Sequence, residues 1–147
     1  MLKEEIKNKL IAYQEGLVED FAKAVEEQHV GADIDEEDTR DPEDFSHQDE
    51  AGDLMLRLKQ KLQVAEQDLN ALKEIPLDSK DRIVQGALVE TDKWFFYVGL
   101  ATQSMEHDGK TLAGISTQAP IYSVMLNKMA GDSFSFNGLD YNILNVS

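Results

Sequence analysis

Ala51, Met55, Leu58, Leu62, Ala65, Leu69 and Leu72 recur in alternating steps of four and three, a heptad seam that commits residues 48–74 to one helix with a single narrow apolar stripe. A matching stripe precedes it. Ile6, Leu10, Tyr13, Leu17, Phe21 and Ala24 fall three or four apart between Glu4 and His29, with charged residues between them. A helix with one narrow stripe needs one partner, and two such helices in succession zip together as an antiparallel pair. Residues 1–75 are therefore expected to form a helical hairpin, a rod about 40 Å long from roughly 26 residues per helix.

The stretch joining the helices, about residues 30–47, is the expected tip. Ser46-His47-Gln48-Asp49 has the form of a helix start, with Asp49 and Glu50 where the helix dipole favours anions, so the second helix is expected to begin near residue 47. Val30 to Phe45 is then a connection longer than most between helices. Asp33, Asp35, Glu36, Glu37, Asp38, Asp41, Glu43, Asp44, Asp49, Glu50 and Asp53 crowd this region, opposed by Arg40 and, just outside, Arg57. So many like charges raise one another's pKa values and cost stability unless a cation or a basic partner compensates. The bland reading is a solvated acidic loop. Asp33-Ile34-Asp35-Glu36-Glu37 opens like a calcium loop, but Asp38 stands where that loop requires glycine. A hard divalent ion such as magnesium commonly takes only one or two protein carboxylates, so acids on a stalk can complete a metal shell inside another enzyme. Asp41, Glu43 and Asp44 are the candidates for that role.

Residues 76–147 read as a small α+β domain. Ile83, Val84, Ala87, Leu88 and Val89 suggest one strand and Trp94 to Ala101 another, joined by Glu90-Thr91-Asp92-Lys93. A loop with Asp108-Gly109 leads to a strand over 112–115. Residues 132–136 and 139–146 flank Asn137-Gly138, the strongest short hairpin signal, so the sheet is expected to be largely antiparallel. Pro120 suits the first turn of a short helix that buries Ile121, Val124, Met125 and Leu126 before Asn127 ends it. Met125 and Met129 read as core filler.

The net charge of -15 lies mostly in the first half, where 21 Asp and Glu face 9 Lys and Arg in residues 1–75. Such a surface repels phosphate backbones, so any nucleic-acid role is expected to be indirect. The chain contains no cysteine, which removes disulfides and thiolate chemistry and fits a cytoplasmic protein; no apolar run approaches membrane-spanning length. There is no phosphate loop, dinucleotide glycine fingerprint or His-Glu-x-x-His, and His29, His47 and His107 are far apart. The chain is not expected to be an enzyme, nor to hold a cofactor tightly.

Two stretches carry a family likeness. Ile115-Ser116-Thr117-Gln118-Ala119-Pro120-Ile121, followed by Met125-Leu126-Asn127-Lys128-Met129-Ala130-Gly131-Asp132, resembles the I-S-x-x-S-P-L and L-L-G-K-x-x-G-D stretches of Gre-type transcript cleavage factors. Arg82-Ile83-Val84-Gln85-Gly86-Ala87 and Tyr97-Val98-Gly99 are similar to that family's opening strands. Asp44-Phe45-Ser46-His47-Gln48-Asp49-Glu50 is similar to its tip signature G-D-L-x-E-N-A-E. The resemblance implies an FKBP-like C-terminal domain that docks on the rim of the RNA polymerase secondary channel through Gln118, Ala119 and Pro120. It also implies a hairpin whose tip reaches the active site, where Asp44, with Asp41 and Glu43, helps hold a magnesium ion shared with the polymerase while the polymerase cuts backtracked RNA. The chain would act as a monomer in the bacterial cytoplasm. His47 stands in place of the family's second tip acid and Ala119 in place of a serine, changes that would equally suit a channel-binding regulator without cleavage activity. From other classes, a peptidyl-prolyl isomerase would need an aromatic pocket from Trp94, Phe95, Phe96 and Tyr97. A coiled-coil adaptor would show spare apolar residues outside the seam, with Ile11 and Val18 as candidates.

Overall fold

The computed structural model describes the backbone of residues 2–35 and 42–147, and the side chains of residues 2–28 and 52–147. The order of elements is α1 (Leu2–Asp35), α2 (Pro42–Glu74), β1 (Leu88–Thr91), β2 (Trp94–Val98), β3 (Met105–His107), β4 (Lys110–Ile115), α3 (Pro120–Met125), β5 (Ser133–Phe136) and β6 (Leu139–Val146). A helical hairpin followed by a small mixed sheet with one short helix is thus the fold class expected from the sequence. The chain packs as two compact units, Tyr13–Asn70 and Met1–Ala12 with Ala71–Ser147. The hydrophobic pattern suggests a division near residue 75. The sheet unit instead takes in the beginning of α1 and the end of α2, because Ile6, Leu10, Leu72 and Ile75 fill its core.

Both helices outrun the lengths read from the pattern. α1 continues past Gly31 to Asp35, since one interior glycine costs only about 1 kcal/mol. α2 begins at Pro42 rather than near residue 47. Proline is suited to the first helical position, where its missing N–H is one the helix would leave unpaired, and its fixed φ is already helical. Ser46 therefore lies inside the helix, and residues 30–35 and 42–45, read as connection, are helical.

The sheet has the order β3-β4-β2-β1-β6-β5. Its pairings are antiparallel except β2 with β4, which are parallel and in register from Trp94 opposite Thr111 to Val98 opposite Ile115. That pairing and the short edge strand β3 were not legible in the sequence. Asp108 and Gly109, at φ 49° and 78°, close the β3–β4 hairpin, and Asn137 and Gly138, at 52° and 78°, close β5–β6; both turns need left-handed residues that match strand twist. The Thr91 hydroxyl donates to the Trp94 carbonyl at 2.8 Å and accepts the Trp94 N–H at 2.8 Å, tying the β1–β2 turn.

β1 is shorter than the apolar run from Ile83. Gly86 sits at φ 88°, and Ile83 exchanges backbone bonds of 2.9 Å with Asn127 and Lys128 instead of joining the sheet. β2 likewise stops at Val98, three residues before Ala101.

The alternation of β2 divides its aromatics between two cores. Phe96 and Val98, with Trp94 packed against them, join Ala113, Ile115, Met125, Phe134, Tyr141 and Ile143. Phe95 and Tyr97 join Leu88 and Leu112 beneath Ile6, Leu10, Leu72 and Ile75. Fully burying a leucine or isoleucine side chain contributes about 1.5–3 kcal/mol, so the helix residues Ile6, Leu10 and Leu72 are a large share of what holds the second core together. Met125 is core filler, as expected. Val124, Leu126 and Met129 are exposed, because α3 is only six residues long and presents Met125, Ile121 and Tyr122 to the sheet core.

Candidate functional site

Two polar side chains set the pairing of the helices. Within the sheet unit, buried Lys7 donates to the carbonyl of Lys73 at 3.2 Å and to that of Ile75. Within the Tyr13–Asn70 unit, buried Gln14 donates to the carbonyl of Ala65 at 3.0 Å. A step of seven along α1 is matched by a step of eight back along α2, so the helices run antiparallel as the stripes require. Along the seam Ala65 and Leu72 are buried and Met55, Leu58, Leu62 and Leu69 half-buried, Ile6 and Leu10 are buried and Tyr13, Leu17, Phe21 and Ala24 half-buried; the side chain of Ala51 lies outside the described residues.

The candidate tip, about residues 30–47, takes in the last residues of α1, which stops at Asp35, and the first of α2, which begins at Pro42; residues 36–41 lie outside the described residues. Glu43 and Asp44 follow Pro42 at the start of α2; their side chains, and that of His47, lie outside the described residues, as does Asp41 entirely. Among the described residues no cluster of three or more histidine or acidic side chains is placed to hold a metal ion.

The candidate docking segment lies in the sheet unit at the entry to α3. Gln118 is exposed and its N–H points at Ser116 Oγ at 3.3 Å. Ala119 caps α3 with extended backbone, φ -67° and ψ 140°, and offers no side-chain acceptor. Pro120 is exposed at the first helical position. Gln118, Ala119 and Pro120 thus form one continuous corner. The acids at the hairpin turn belong to the other half of the chain in sequence.

Sequence reasoning missed the buried lysines. Lys3, only 2% exposed, donates to the carbonyls of Asp78 at 2.7 Å and Ser147 at 3.1 Å. Burial holds its pKa below that of a free lysine, against the attraction of Asp78. The available signal was position: Lys3, Lys7 and Gln14 fall on the same helical face as Ile6 and Leu10. The Lys80 ammonium draws the Asp78 carboxyl below its usual range, and the Asn142 backbone N–H does the same for Asp92. Burial pushes the Tyr97 phenol up to about 12.

His107 lies against the edge of Phe95 with its Nε2 at 3.4 Å from an Asp108 carboxylate oxygen. An open cleft of about 360 Å³ is lined by Ala71, Glu74, Ile75, Pro76 and Gln85; its one titratable group, Glu74, has no partner acid or base beside it in that lining. The aromatics of β2 are packed inside the two cores rather than around a cleft, with Phe95, Phe96 and Tyr97 at most 4% exposed. Among the described residues no helix is long and apolar enough to cross a membrane.

Solved structures to which the chain is similar include the following two. One is that of the transcription factor Gfh1, at 16% identity over 92% of both chains and a TM-score of 0.38. The other is that of GreA factor homolog 1 (Gfh1) of Thermus thermophilus, at 15% identity over 93% of this chain and 94% of that one, with a TM-score of 0.36. No family model and no curated protein matches.

Proposed function

We propose that this chain is a polymerase-binding elongation factor of the Gre type, which presents acidic side chains to the active site of RNA polymerase and promotes cleavage of backtracked RNA. The observation that carries the reading is where the acids sit. Asp33 and Asp35 lie at the end of α1, and Glu43, Asp44, Asp49, Glu50 and Asp53 in the first turns of α2, so the acids gather where two helices that run antiparallel adjoin in sequence. The tip likeness at residues 44–50 and the docking likeness at 115–132 support it, in the same order along the chain as in the family. In this reading Asp44, with Asp41 and Glu43, supplies hard oxygen ligands toward a magnesium ion of the polymerase. Gln118, Ala119 and Pro120 meet the channel rim. The factor itself carries no reaction; contact with nucleic acid comes only through the polymerase.

Addition of the purified protein to a stalled, backtracked elongation complex is expected to shorten the RNA from its 3′ end, and Asp44→Ala to abolish the shortening. RNA cleavage that is unchanged by Asp44→Ala refutes the assigned role. A second reading, a channel-binding regulator without cleavage activity, is favoured by one observation: His47 stands where the family's second tip acid belongs. It predicts competition with a cleavage factor while the RNA stays intact.

A further inference from the structure

α2 has a second face that α1 does not cover. Opposite the seam, Leu56, Gln60, Val64 and Gln67 form a stripe in steps of four, four and three; all are exposed, Leu56 by 57% and Val64 by 54%. The stripe is free of charge, but its borders are not. Arg57, Lys59 and Lys61 flank its first half, Glu66 and Asp68 its second. At about 100° per residue, Arg57, Lys61 and Asp68 fall along one border, and Lys59 and Glu66 along the other. Among the described residues, Lys59, Lys61, Glu66 and Asp68 have no ion-pair partner.

We propose that this face of α2 pairs with the same face of a second copy of the chain, antiparallel, about a two-fold axis between Gln63 and Val64. A two-fold of this kind brings residues of the same border together and reverses their order. Glu66 of the second copy then meets Lys59, and Asp68 of the second copy falls between Arg57 and Lys61, with both contacts repeated by symmetry. Gln60 faces Gln67 of the second copy, where paired amides exchange donor and acceptor, and Val64 packs at the centre. Parallel pairing is excluded by charge, since its two-fold runs along the helices, brings opposite borders together and would set Lys59 beside Arg57 and Lys61, and Glu66 beside Asp68. The pattern is thus complementary to itself in one orientation only.

The net charge of -15 opposes association. At physiological salt, charges more than about 8 Å apart are largely screened, so the bordering pairs decide the outcome. One helix face over about three turns stays below the roughly 1,200 Å² of stable interfaces, so the association is weak and depends on concentration.

Sedimentation velocity of the full chain from about 10 µM to 1 mM tests this. The mass is expected to rise from monomer to dimer across that range. Lys59→Glu with Lys61→Glu weakens association at least tenfold, as does Glu66→Lys with Asp68→Lys, each with helical circular dichroism unchanged. A one-to-one mixture of the two variants restores the dimer, because every border contact except that of position 68 with Arg57 is again between opposite charges. The chain has no cysteine, so a second variant set reads orientation. Val64→Cys, beside the axis, oxidises to a linked dimer. Leu56→Cys does not, because its copies lie about 22 Å apart along the helices. Monomer at every concentration, as expected if a different protein covers this face, overturns the proposal. So do a dimer indifferent to charge reversal, a mixture that fails to associate, and linkage at Leu56→Cys as efficient as at Val64→Cys.

Discussion

Replacing Lys7 by methionine isolates the contact that ties α1 to the end of α2. Methionine keeps most of the stem volume and removes the ammonium, so the Lys73 and Ile75 carbonyls lose their donor. These carbonyls belong to the last turn of α2 and the residue after it, where the helix dipole favours a cation. A hydrogen bond to a charged donor is worth about 1.5–3 kcal/mol, and a buried carbonyl left unpaired costs about 1–3 kcal/mol. Relief from burying the ammonium offsets part of this. The net expectation for Lys7→Met is a loss of about 2–4 kcal/mol in urea unfolding followed by circular dichroism. Lys23→Met is the control: Lys23 is 66% exposed and sits 3.4 Å from Glu19 one turn away, an arrangement worth at most about 0.5 kcal/mol. If both variants lie within about 0.5 kcal/mol of the parent, the Lys7 contacts do not hold the helices as argued.

Ala119→Ser supplies the missing cap of α3 at a residue already in extended geometry, and should raise unfolding stability by about 1 kcal/mol; an unchanged midpoint contradicts it. Gly114→Ala would place a Cβ at 2.2 Å from the Leu100 carbonyl oxygen. Backbone has to move, so a loss of about 3 kcal/mol or more is expected in the same assay. The Tyr97 phenol, raised to about 12 by burial, contributes stability that is complete below pH 10 and lost as pH rises through about 12, because the unfolded chain releases that proton first. Ultraviolet titration should show Tyr97 ionising only as the fold opens, and Tyr97→Phe should flatten the alkaline decline; ionisation near pH 10 in the folded protein would contradict the assignment.

Periodicity carried most of what the sequence revealed. The seam from Met55 to Leu72 and the stripe from Ile6 to Ala24 name the residues that meet, because a long helix with one stripe has few ways to hide it. The Asn137-Gly138 turn was legible for a similar reason, since few residue pairs tolerate that backbone. Helix ends were not. Apolar periodicity is silent where side chains are acidic, so Asp33, Asp35, Glu43 and Asp44 resembled a loop although the backbone is helical there. The parallel pairing of β2 with β4 could not be read either, because β3 is three residues long and the strands alternate identically in either direction. Lys3 and Lys7 look like solvent residues by type, and only their helical spacing marks them as buried. As for the candidate site, the sequence supplied its acids and the candidate docking segment, and the structure adds that the backbone at Asp33, Asp35, Glu43 and Asp44 is helical.

Hydroxyl-radical mapping in a complex with bacterial core RNA polymerase tests the central claim most directly. An iron chelate attached to the cysteine of Asp44→Cys generates radicals that cut only nearby chain. The account predicts cuts in the polymerase subunits around the catalytic magnesium, and none there from a chelate on Ser123→Cys beside the docking corner. Equal cutting of the catalytic centre from both positions, or no cutting from residue 44 in a complex shown to form, would contradict it.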